Sequence, residues 1–386
     1  MRPTPSAPPR LEPTPTTALC ILHAVCHSHR RGSELVALEL AGELDRLGHR
    51  NRVVAMGPAL GGGRDADLVP LGRSWGEGPF ELVSLVWRLR RLLADEPVDV
   101  VVAHGGWPAQ VAVLAVRRGG PLLVWQRILG LPAKVWGPGR RCWWRIVARR
   151  FDAAVALTDD QAVELRRLGF RGPVWVIPNF RRPDRFRGLD RVAAATRLRA
   201  EVGVPEGVPL IGFVGHLVHQ KRLDRALEAL ALLPAEGCRA HLVVAGTGPL
   251  RAELGAHAER LGVAGDVTFL GHRDDVESVF GGVDLALLTS DAEGIPGVAI
   301  EALMAGCPMV TVPVGGVTEV VEHGVTGFVL QGDDPAEMAG AVAALLADGE
   351  TRAAMSRASR SRTDRFSAAA AAAVYAERVT AALAER

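Results

Sequence analysis

The chain has 386 residues, which is long for one domain and enough for two, each with its own hydrophobic core. Apolar residues make up 48% of the chain and charged residues 23%, and no run of about 18 apolar residues occurs, so we predict a globular protein without a membrane-spanning helix. The five cysteines are scattered, odd in number and without a metal-type pair, which predicts a reduced cytoplasmic protein.

The first elements predict a Rossmann-like domain. Residues 1–17 are rich in proline and lack an apolar signal core, so we predict a disordered lead-in. An apolar strand at 19–25, a helix from Ser33 that ends at Gly48, and a strand at 52–56 then form a βαβ unit. Gly32 stands in its first turn, where a glycine lets the backbone approach a ligand closely.

A third strand, predicted at 98–104, ends in a histidine. In an open parallel sheet the carboxyl ends of the strands face the ligand crevice, so His104 is a candidate for the chemistry. The alternative is a structural or simply exposed histidine. Further strands are predicted at 152–157 and 173–177.

Residues 140–150 mix arginine with tryptophan. Such a stretch could lie in a membrane interface and bind anionic lipid. The more ordinary alternative is a surface helix whose tryptophans pack inward.

Charge supports a difference between the two halves of the chain. Residues 1–180 carry 24 Lys and Arg against 16 Asp and Glu, a balance of +8, which leaves −6 for the remainder, and all eight tryptophans lie at or before Trp175. A basic first half indicates an anionic partner or a membrane surface, and compositional drift is the alternative.

The second half begins after an arginine-rich connection at 181–206. An apolar strand at 208–215 ends in Gly215, and His216 and Lys221 follow it. The chain contains 43 arginines and only two lysines, Lys134 and Lys221. A compact ammonium suits a single phosphate oxygen, whereas a guanidinium favours planar, bidentate recognition, so Lys221 is a candidate phosphate ligand.

The stretch from 287 to 326 is the most informative part of the chain. A buried strand leads into a loop, and Pro296 suits the first turn of a helix that continues to Gly306. The free backbone N–H groups at 294–297 and the helix dipole predict an anion site. Glu293 and Glu301 beside it would repel phosphate, so they are candidates for hydroxyl acceptors. The alternative is that one is a loop carboxylate and the other a solvated helix residue.

These residues resemble the donor site of the retaining family-4 glycosyltransferases, in which two glutamates are separated by seven residues. The resemblance continues through Glu-Ala-Leu-Met-Ala-Gly-Cys-Pro at 301–308, Val-Gly-Gly-Val-Thr-Glu at 314–319 and His-Gly-Val-Thr-Gly at 323–327. It covers nearly everything from Leu19 onward and is most specific at 212–327. His216 stands where the family usually has arginine, Phe180 where it usually has glycine, and Ser33 replaces a second glycine of the first turn.

The resemblance implies the GT-B fold, two Rossmann-like domains facing each other across a cleft. The predicted parts are an N-terminal domain at 18–180, a connection at 181–206, a C-terminal domain at 207–366, and a last helix at 367–386 that crosses back to the first domain.

It also implies a retaining transferase that moves a hexose-type sugar from a nucleoside-diphosphate sugar, without a metal or other cofactor. The implied catalytic residues are Lys221, Glu293 and His104, the last contacting the transferred sugar. The implied donor-binding residues are Gly32, Gly215, His216, Lys221, Arg273, Glu293, Gly294, Ile295, Pro296 and Glu301. Glu293 would hold sugar hydroxyls and Glu301 the ribose, while Arg273 belongs to a loop over the nucleobase.

The basic first half gives the hypothesis of an anionic or lipid-linked acceptor and a peripheral contact with the inner face of the membrane. No nucleic-acid partner is predicted. Three other functions remain open at this point: a nucleotide-sugar epimerase of the same fold, a phosphorylase with a pyridoxal lysine, and a noncatalytic nucleotide-sugar-binding protein.

Overall fold

The computed structural model describes residues 18–28, 32–57, 68–72, 79–128 and 137–386. The predicted lead-in at 1–17, part of the first turn, and Lys134 lie outside these residues.

The first domain is built on a parallel sheet of seven strands. The strands are β1 (Cys20–Val25), β2 (Arg50–Ala55), β3 (Val69–Pro70), β4 (Val100–His104), β5 (Leu122–Gln126), β6 (Ala153–Ala156) and β7 (Val174–Val176), in the order β3-β2-β1-β4-β5-β6-β7. The strand order reverses between β1 and β4, and ligands bind at such a switch point outside the carboxyl ends of the strands.

Helices cover both faces of this sheet. They are α1 (Gly32–Arg46), α2 (Pro79–Asp95), α3 (Gly106–Ala115), α4 (Pro138–Ala148) and α5 (Asp159–Leu168). Leu85, Ala112, Val147 and Leu165 bury α2 to α5 against one face, whereas Leu40 buries α1 against the other. Near-continuous apolar strands are expected in a parallel sheet covered on both sides.

The second domain repeats this arrangement with a parallel sheet of six strands. The strands are β8 (Leu210–Val214), β9 (His241–Ala245), β10 (Val267–Gly271), β11 (Leu285–Leu288), β12 (Met309–Thr311) and β13 (Gly327–Val329), in the order β10-β9-β8-β11-β12-β13. Its switch point lies between β8 and β11. The residues after these two strands are the loops predicted to bind the donor.

The helices of the second half are α6 (Arg191–Val202), α7 (Leu223–Leu232), α8 (Arg251–Arg260), α9 (Val276–Gly282), α10 (Gly297–Ala305), α11 (Pro335–Ala347), α12 (Gly349–Arg360) and α13 (Ala368–Ala384). Within the predicted connection, α6 packs on α9. Gly282 leaves room for Leu198, which a Cβ atom there would meet at 2.8 Å, and Gly281 leaves room for Ala194, at 3.2 Å. We therefore propose that the second domain begins at α6.

The last helix lies against the first domain, as predicted. Tyr375 of α13 is fully buried with Leu40 of α1, and its ring meets Trp175 edge-on at a centroid distance of 6.0 Å. The two crossings between the domains are joined, because Arg181 N donates to Phe366 O at 2.9 Å and Ala368 N donates to Arg181 O at 3.0 Å. The two segments that connect the domains, at Arg181 and at 366–368, are thus hydrogen-bonded to each other.

The arginine- and tryptophan-rich stretch forms α4. Trp144 is buried and stacks on Trp125 at 5.4 Å, and Trp143 Nε1 donates to Gln110 Oε1 at 2.8 Å. The tryptophans therefore pack inward, the more ordinary of the two alternatives. In the described part of the chain, no helix combines the length and apolarity needed to cross a bilayer.

Candidate active site

A cleft of about 1830 Å³ lies between the domains and is lined by residues of both. All the predicted site residues but Pro296 line it: Gly32, His104, Gly215, His216, Lys221, Arg273, Glu293, Gly294, Ile295 and Glu301. Residues far apart in the chain are therefore brought together at one cleft. Pro296 is buried and caps α10 instead.

Helix α10 begins one residue later than expected. Pro296 precedes it in an extended conformation, Ala299 N bonds to Pro296 O at 3.1 Å, and Gly306 ends it in the left-handed region at φ 67°. The guanidinium of Arg181 packs directly on Gly297, where a Cβ atom would overlap it. The predicted anion site thus contains a cation, Arg181, that was not among its predicted residues.

Arg181 also pairs with Glu301. Arg181 Nε donates to Glu301 Oε1 at 2.6 Å, and both side chains are buried, at 6% and 8% exposure. Burial opposes the charge of Arg181, but Glu301 and Glu39 more than offset this and raise its pKa. Glu39, on α1, has its pKa raised to about 7 by burial despite the opposing charges of Arg181 and Arg182.

Lys221 and Glu293 form the second ion pair of the cleft, with Nζ and Oε1 2.5 Å apart. Backbone and side-chain bonds tie their two loops together: Thr289 Oγ1 donates to Lys221 O at 2.8 Å, and Gln220 Nε2 donates to Ala292 O at 2.6 Å. The side chains are 22% and 10% exposed. The predicted phosphate ligand and the predicted sugar ligand are therefore in direct contact.

The loop after β8 is held by close backbone packing. Gly215 N donates to Ala245 O at 3.0 Å, and Gly246, at φ 144°, lies so close that a Cβ atom there would overlap Gly215 O. Gly248 packs in the same way on the backbone of Leu217. These glycines shape the loop that carries His216 into the cleft.

Two predicted donor residues have surroundings that the sequence did not indicate. The Arg273 guanidinium bonds to both oxygens of Asp275 at 2.7 and 2.8 Å and also pairs with Glu201. Gly32 begins α1, and a Cβ atom there would meet nothing within 4 Å among the described residues. Arg273 is thus held by two carboxylates, and close packing does not require a glycine at position 32.

His104 is fully buried at the end of β4. Its Nε2 lies 3.1 Å from Nδ1 of His23, which is also fully buried, and Nε2 of His23 lies 3.1 Å from Asn51 Oδ1. Burial lowers the pKa of His23 to about 4 and, together with His23, holds the pKa of His104 well below its usual range. Both rings are therefore neutral at physiological pH.

The domains touch around two glycines, Gly294 before α10 and Gly316 after β12. Gly294 lies against the carbonyl of Ile128, and Gly316 against the side chain of Thr158, positions where a Cβ atom would overlap these neighbours. Asn179 Nδ2 donates to Ile295 O at 2.8 Å. The first domain thus closes one side of the predicted donor site.

Two family models match the chain. The model "Glycosyltransferase Family 4" matches residues 30–185, and the model "Glycosyl transferases group 1" matches residues 195–362. Together they cover most of the described chain, one per domain. The chain belongs to the group 1 glycosyltransferases.

Curated relatives match over part of their length. The 2-deoxystreptamine glucosyltransferase of Streptomyces kanamyceticus is 33% identical over 176 residues, which cover 45% of each chain. The D-inositol 3-phosphate glycosyltransferase of Streptomyces avermitilis is 35% identical over 246 residues, covering 60% of this chain and 52% of the relative. The chain spans about half the length of the curated relatives it matches.

Solved structures share the whole fold. HepE of Anabaena, solved in complex with UDP-glucose, has a TM-score of 0.79 at 21% identity, covering 94% of this chain and 100% of that one. Sucrose-phosphate synthase of Thermosynechococcus elongatus has a TM-score of 0.80 at 18% identity, covering 95% and 100%. The fold is GT-B, as the sequence predicted.

Sequence reasoning missed Arg181, Glu39 and His23. Arg181 was placed in the interdomain connection, although its neighbour Phe180 stands in a stretch that resembles the family's hinge entry. Glu39 and His23 follow no motif, because each is defined by a partner on another element of the fold. An acidic residue or a histidine in an otherwise apolar helix or strand is the only signal the sequence offered.

Proposed function

We propose that this protein transfers a hexose-type sugar from a nucleoside-diphosphate sugar to an acceptor hydroxyl with retention of the anomeric configuration. The observation that carries the proposal is the placement of the Lys221–Glu293 pair, the mouth of α10 and His104 in one cleft between two Rossmann-like domains. HepE, which has the same fold, binds UDP-glucose, and this supports a donor of that class.

In the proposed reaction, negative charge develops on the departing diphosphate as the sugar bond breaks. The ammonium of Lys221, the imidazole of His216 and the backbone N–H groups at the mouth of α10 would meet this charge. One such preorganised electrostatic contact contributes roughly 2 to 4 kcal/mol to transition-state stabilisation. Glu293 would accept hydrogen bonds from sugar hydroxyls and Glu301 from the ribose.

The Lys221–Glu293 ion pair adds a feature to this proposal that the sequence did not suggest. The Glu293 carboxylate holds the Lys221 ammonium where the donor would bind. When the donor binds, its phosphate oxygens would contact Lys221 and its sugar hydroxyls would contact Glu293. Because preorganised charges need little rearrangement during the reaction, the pair is suited to the transition state. We do not assign Glu293 as a covalent nucleophile, since retention in this proposal comes from reaction on one face, with the diphosphate assisting the acceptor.

We further propose that the acceptor is anionic or lipid-linked and that the first domain contacts the inner face of the membrane. The outer side of α2 supports this, because Phe80, Val83 and Trp87 are 91%, 68% and 60% exposed at helical spacing. Arg91 lies over the Trp87 ring at 5.8 Å. Exposed apolar side chains beside arginines suit the surface of an anionic bilayer. Binding that does not respond to anionic vesicles or to salt would contradict this part of the proposal.

A two-step experiment tests the main proposal. First, thermal unfolding is followed with a panel of nucleoside diphosphates and their sugars, since selective binding raises the midpoint by a predictable amount. Second, nucleotide release is measured with and without candidate acceptors. Stabilisation by one nucleotide together with acceptor-dependent release is expected.

Other outcomes separate the remaining functions. An epimeric donor formed without acceptor indicates an epimerase, and tight donor binding without any release indicates a noncatalytic binding protein. The absorbance of a pyridoxal cofactor would indicate a phosphorylase. No stabilisation by any nucleotide or nucleotide sugar would overturn the proposal.

A further inference from the structure

A chain of hydrogen bonds runs from the protein surface to His104. Asp45 Oδ1 accepts from the backbone N–H of Asn51 at 3.0 Å and from its side-chain Nδ2 at 2.9 Å. Asn51 Oδ1 then faces Nε2 of His23 at 3.1 Å, and Nδ1 of His23 faces Nε2 of His104 at 3.1 Å. The chain therefore joins α1, β2, β1 and β4 and ends in the cleft.

The hydrogen bonds of this series can run in only one donor-to-acceptor direction, from His104 towards Asp45. A carboxylate accepts hydrogen bonds and donates none, so the amide nitrogen of Asn51 must face Asp45 and its oxygen must face His23. His23 Nε2 must then carry the hydrogen, which leaves Nδ1 of the neutral ring as an acceptor. Consequently His104 donates through Nε2–H, and its own Nδ1 is left without a hydrogen.

The opposite direction fails at each link. A hydrogen on Nδ1 of His23 would leave its Nε2 and Asn51 Oδ1 as two acceptors 3.1 Å apart. Turning the Asn51 amide around would place its oxygen against the Asp45 carboxylate instead. A doubly protonated ring is disfavoured because both histidines are fully buried and lie with their ring centroids only 5.3 Å apart.

The free end of this chain is in the proposed site. His104 Nδ1 is buried and has no hydrogen-bond partner among the residues that the structure describes, although His104 lines the cleft. A buried acceptor without a donor is costly, by about 1 to 3 kcal/mol, so a ligand that supplies the missing hydrogen gains this amount.

The family resemblance already implies that His104 contacts the transferred sugar. We propose that His23 and Asn51 are positioning residues that hold His104 with its hydrogen on Nε2, so that its Nδ1 accepts a hydrogen bond from one hydroxyl of that sugar. The proposal rests on the proposed function, which it deepens by defining the chemistry of the donor. The sugar must present a hydrogen-bond donor at this point. A carboxylate, an ether oxygen and a fluorine can only accept hydrogen bonds, so none of them can pair with His104 Nδ1.

The first test uses the unsubstituted protein and needs no activity. Long-range ¹H–¹⁵N correlation spectra of the imidazole rings, recorded at pH 7, distinguish a protonated from an unprotonated ring nitrogen. We expect two histidines in the Nε2–H form with unprotonated Nδ1, and their signals should disappear in His23→Leu and His104→Leu respectively. A hydrogen on Nδ1 of His104, or an imidazolium there, would overturn the proposal.

The second test asks whether the hydroxyl donates. Turnover is measured with UDP-glucose and with its monodeoxy and monodeoxyfluoro analogues at each ring position that leaves the anomeric carbon intact. At one position, we expect both analogues to lose about tenfold in kcat/KM, since neither can donate to His104. A fluorine that restores what the deoxy analogue loses would show that His104 donates, contrary to the proposal.

The variants separate positioning from general loss of structure. In His23→Leu the tenfold discrimination should shrink to less than threefold, whereas His23→Gln, whose amide oxygen can accept from His104 Nε2–H, should retain it. His241→Leu is the matched control, since this buried histidine of β9 bonds to Thr268 at 2.8 Å outside the cleft. We expect it to keep the full discrimination.

The outcomes distinguish this proposal from the proposed function. If no nucleotide sugar binds, the proposed function fails, while the spectra still decide the state of His104. If UDP-glucose is used but His23→Leu discriminates against the analogues as strongly as the unsubstituted protein, the positioning role of His23 is wrong. Should His23→Leu not fold, Asn51→Leu removes the acceptor of His23 Nε2–H at the half-buried end of these hydrogen bonds, and it should likewise reduce the discrimination to less than threefold.

Discussion

Lys221 and Arg181 are both paired with glutamate in the cleft, but their surroundings differ. The Lys221–Glu293 pair is 22% and 10% exposed, whereas the Arg181–Glu301 pair is 6% and 8% exposed. A partly exposed ammonium can exchange its carboxylate for phosphate oxygens at little cost. A buried guanidinium that loses its partner leaves an uncompensated charge. We therefore expect Lys221 to bind the donor phosphate and Arg181 chiefly to hold Glu301 and the start of α10 in position.

The first prediction concerns Lys221. Lys221→Ala should lower kcat/KM about a hundredfold or more, because it removes one preorganised charge from the leaving diphosphate and leaves Glu293 unpaired beside it. Lys221→Arg should recover only part of this loss, since a planar guanidinium does not replace a compact ammonium. The measurement is steady-state transfer with a saturating acceptor.

The control for this prediction removes the same charge elsewhere. Arg239 is exposed and lies outside the cleft, so Arg239→Ala should leave kcat/KM within about twofold. Transfer by Lys221→Ala within a few-fold of the unsubstituted protein would remove the phosphate contact from the mechanism.

At the scale of the element, the mouth of α10 is shaped by a contact rather than by a backbone angle. Gly297 is the first residue of the helix, and the Arg181 guanidinium packs where its side chain would be. Any larger residue must push Arg181 away from Glu301 or move the helix. The glycine is therefore required for the interdomain ion pair and not for a positive φ.

The second prediction follows from this contact. Gly297→Ala should destabilise the protein by about 1 to 3 kcal/mol and reduce donor binding, because the methyl group overlaps the buried guanidinium. Chemical denaturation and nucleotide titration measure the two effects. Gly340→Ala in α11 is the matched control, since a Cβ atom there meets nothing within 4 Å. It should stabilise by about 0.5 to 1 kcal/mol, as alanine does in a helix interior.

Gly297→Ala with unchanged stability and donor affinity would show that Arg181 moves freely, and the role given to its contact with α10 would be wrong.

The elements predicted best from the sequence are those with a strong local pattern. The first strand, predicted at 19–25, is found at Cys20–Val25, and the last helix, predicted at 367–386, is found at Ala368–Ala384, because continuous apolar residues and an unbroken alanine-rich run leave little choice of structure. Strands β5 and β13 were not predicted, although β5 is fully buried in the first sheet. Short runs such as 122–126 are too brief to show a period, and pairing with neighbouring strands decides them.

The site was predicted in its motif and not in its contacts. Glu293, Glu301 and Lys221 were found because they resemble a family pattern, and His104 because it ends a strand. The partners of these residues could not be found in the same way. Arg181 and Glu301 are 120 positions apart, and His23 and His104 are 81 apart. Such pairs are set by tertiary packing, for which a single sequence gives no local signal.

At the scale of the whole molecule, Arg181 is where the two domains are joined. Its backbone bonds to the crossing segment before α13, and its side chain contacts α10 of the second domain. Glu39 on α1 of the first domain adds a carboxylate to the same buried group. The protonation state of Glu39 is therefore linked to how stably the two domains are held together.

The sign of this linkage can be worked out. The pKa of Glu39 rises from 4.5 to about 7 in the folded protein, because burial opposes its charge. Between these values the folded state binds more protons than the unfolded state, so stability falls as the pH rises. The charged and titratable groups that act on it are Arg181 and Arg182, which lower its pKa, and Glu301, which raises it.

The third prediction uses Glu39→Gln. This variant removes the buried charge, so at pH 8 it should be more stable than the unsubstituted protein by about 2 to 3 kcal/mol, and at pH 5 nearly equal. Thermal or urea unfolding at both pH values measures the difference. The buried His23 and His104 destabilise both proteins alike on acidification and cancel in the comparison.

Glu43 provides the control, because it is a second buried glutamate of α1 but pairs with Arg46 and lies 3.8 Å from Arg182. Glu43→Gln loses these ion pairs and gains nothing from the removal of its charge, so it should not stabilise the protein at pH 8. The contrary outcome is that Glu39→Gln, like Glu43→Gln, changes the free energy of unfolding by the same amount at pH 5 and at pH 8. Glu39 would then be charged in the folded protein at both pH values. Arg181, Glu301 and Glu39 would in that case form a permanent ion cluster between the domains, and its charge would not respond to pH in this range.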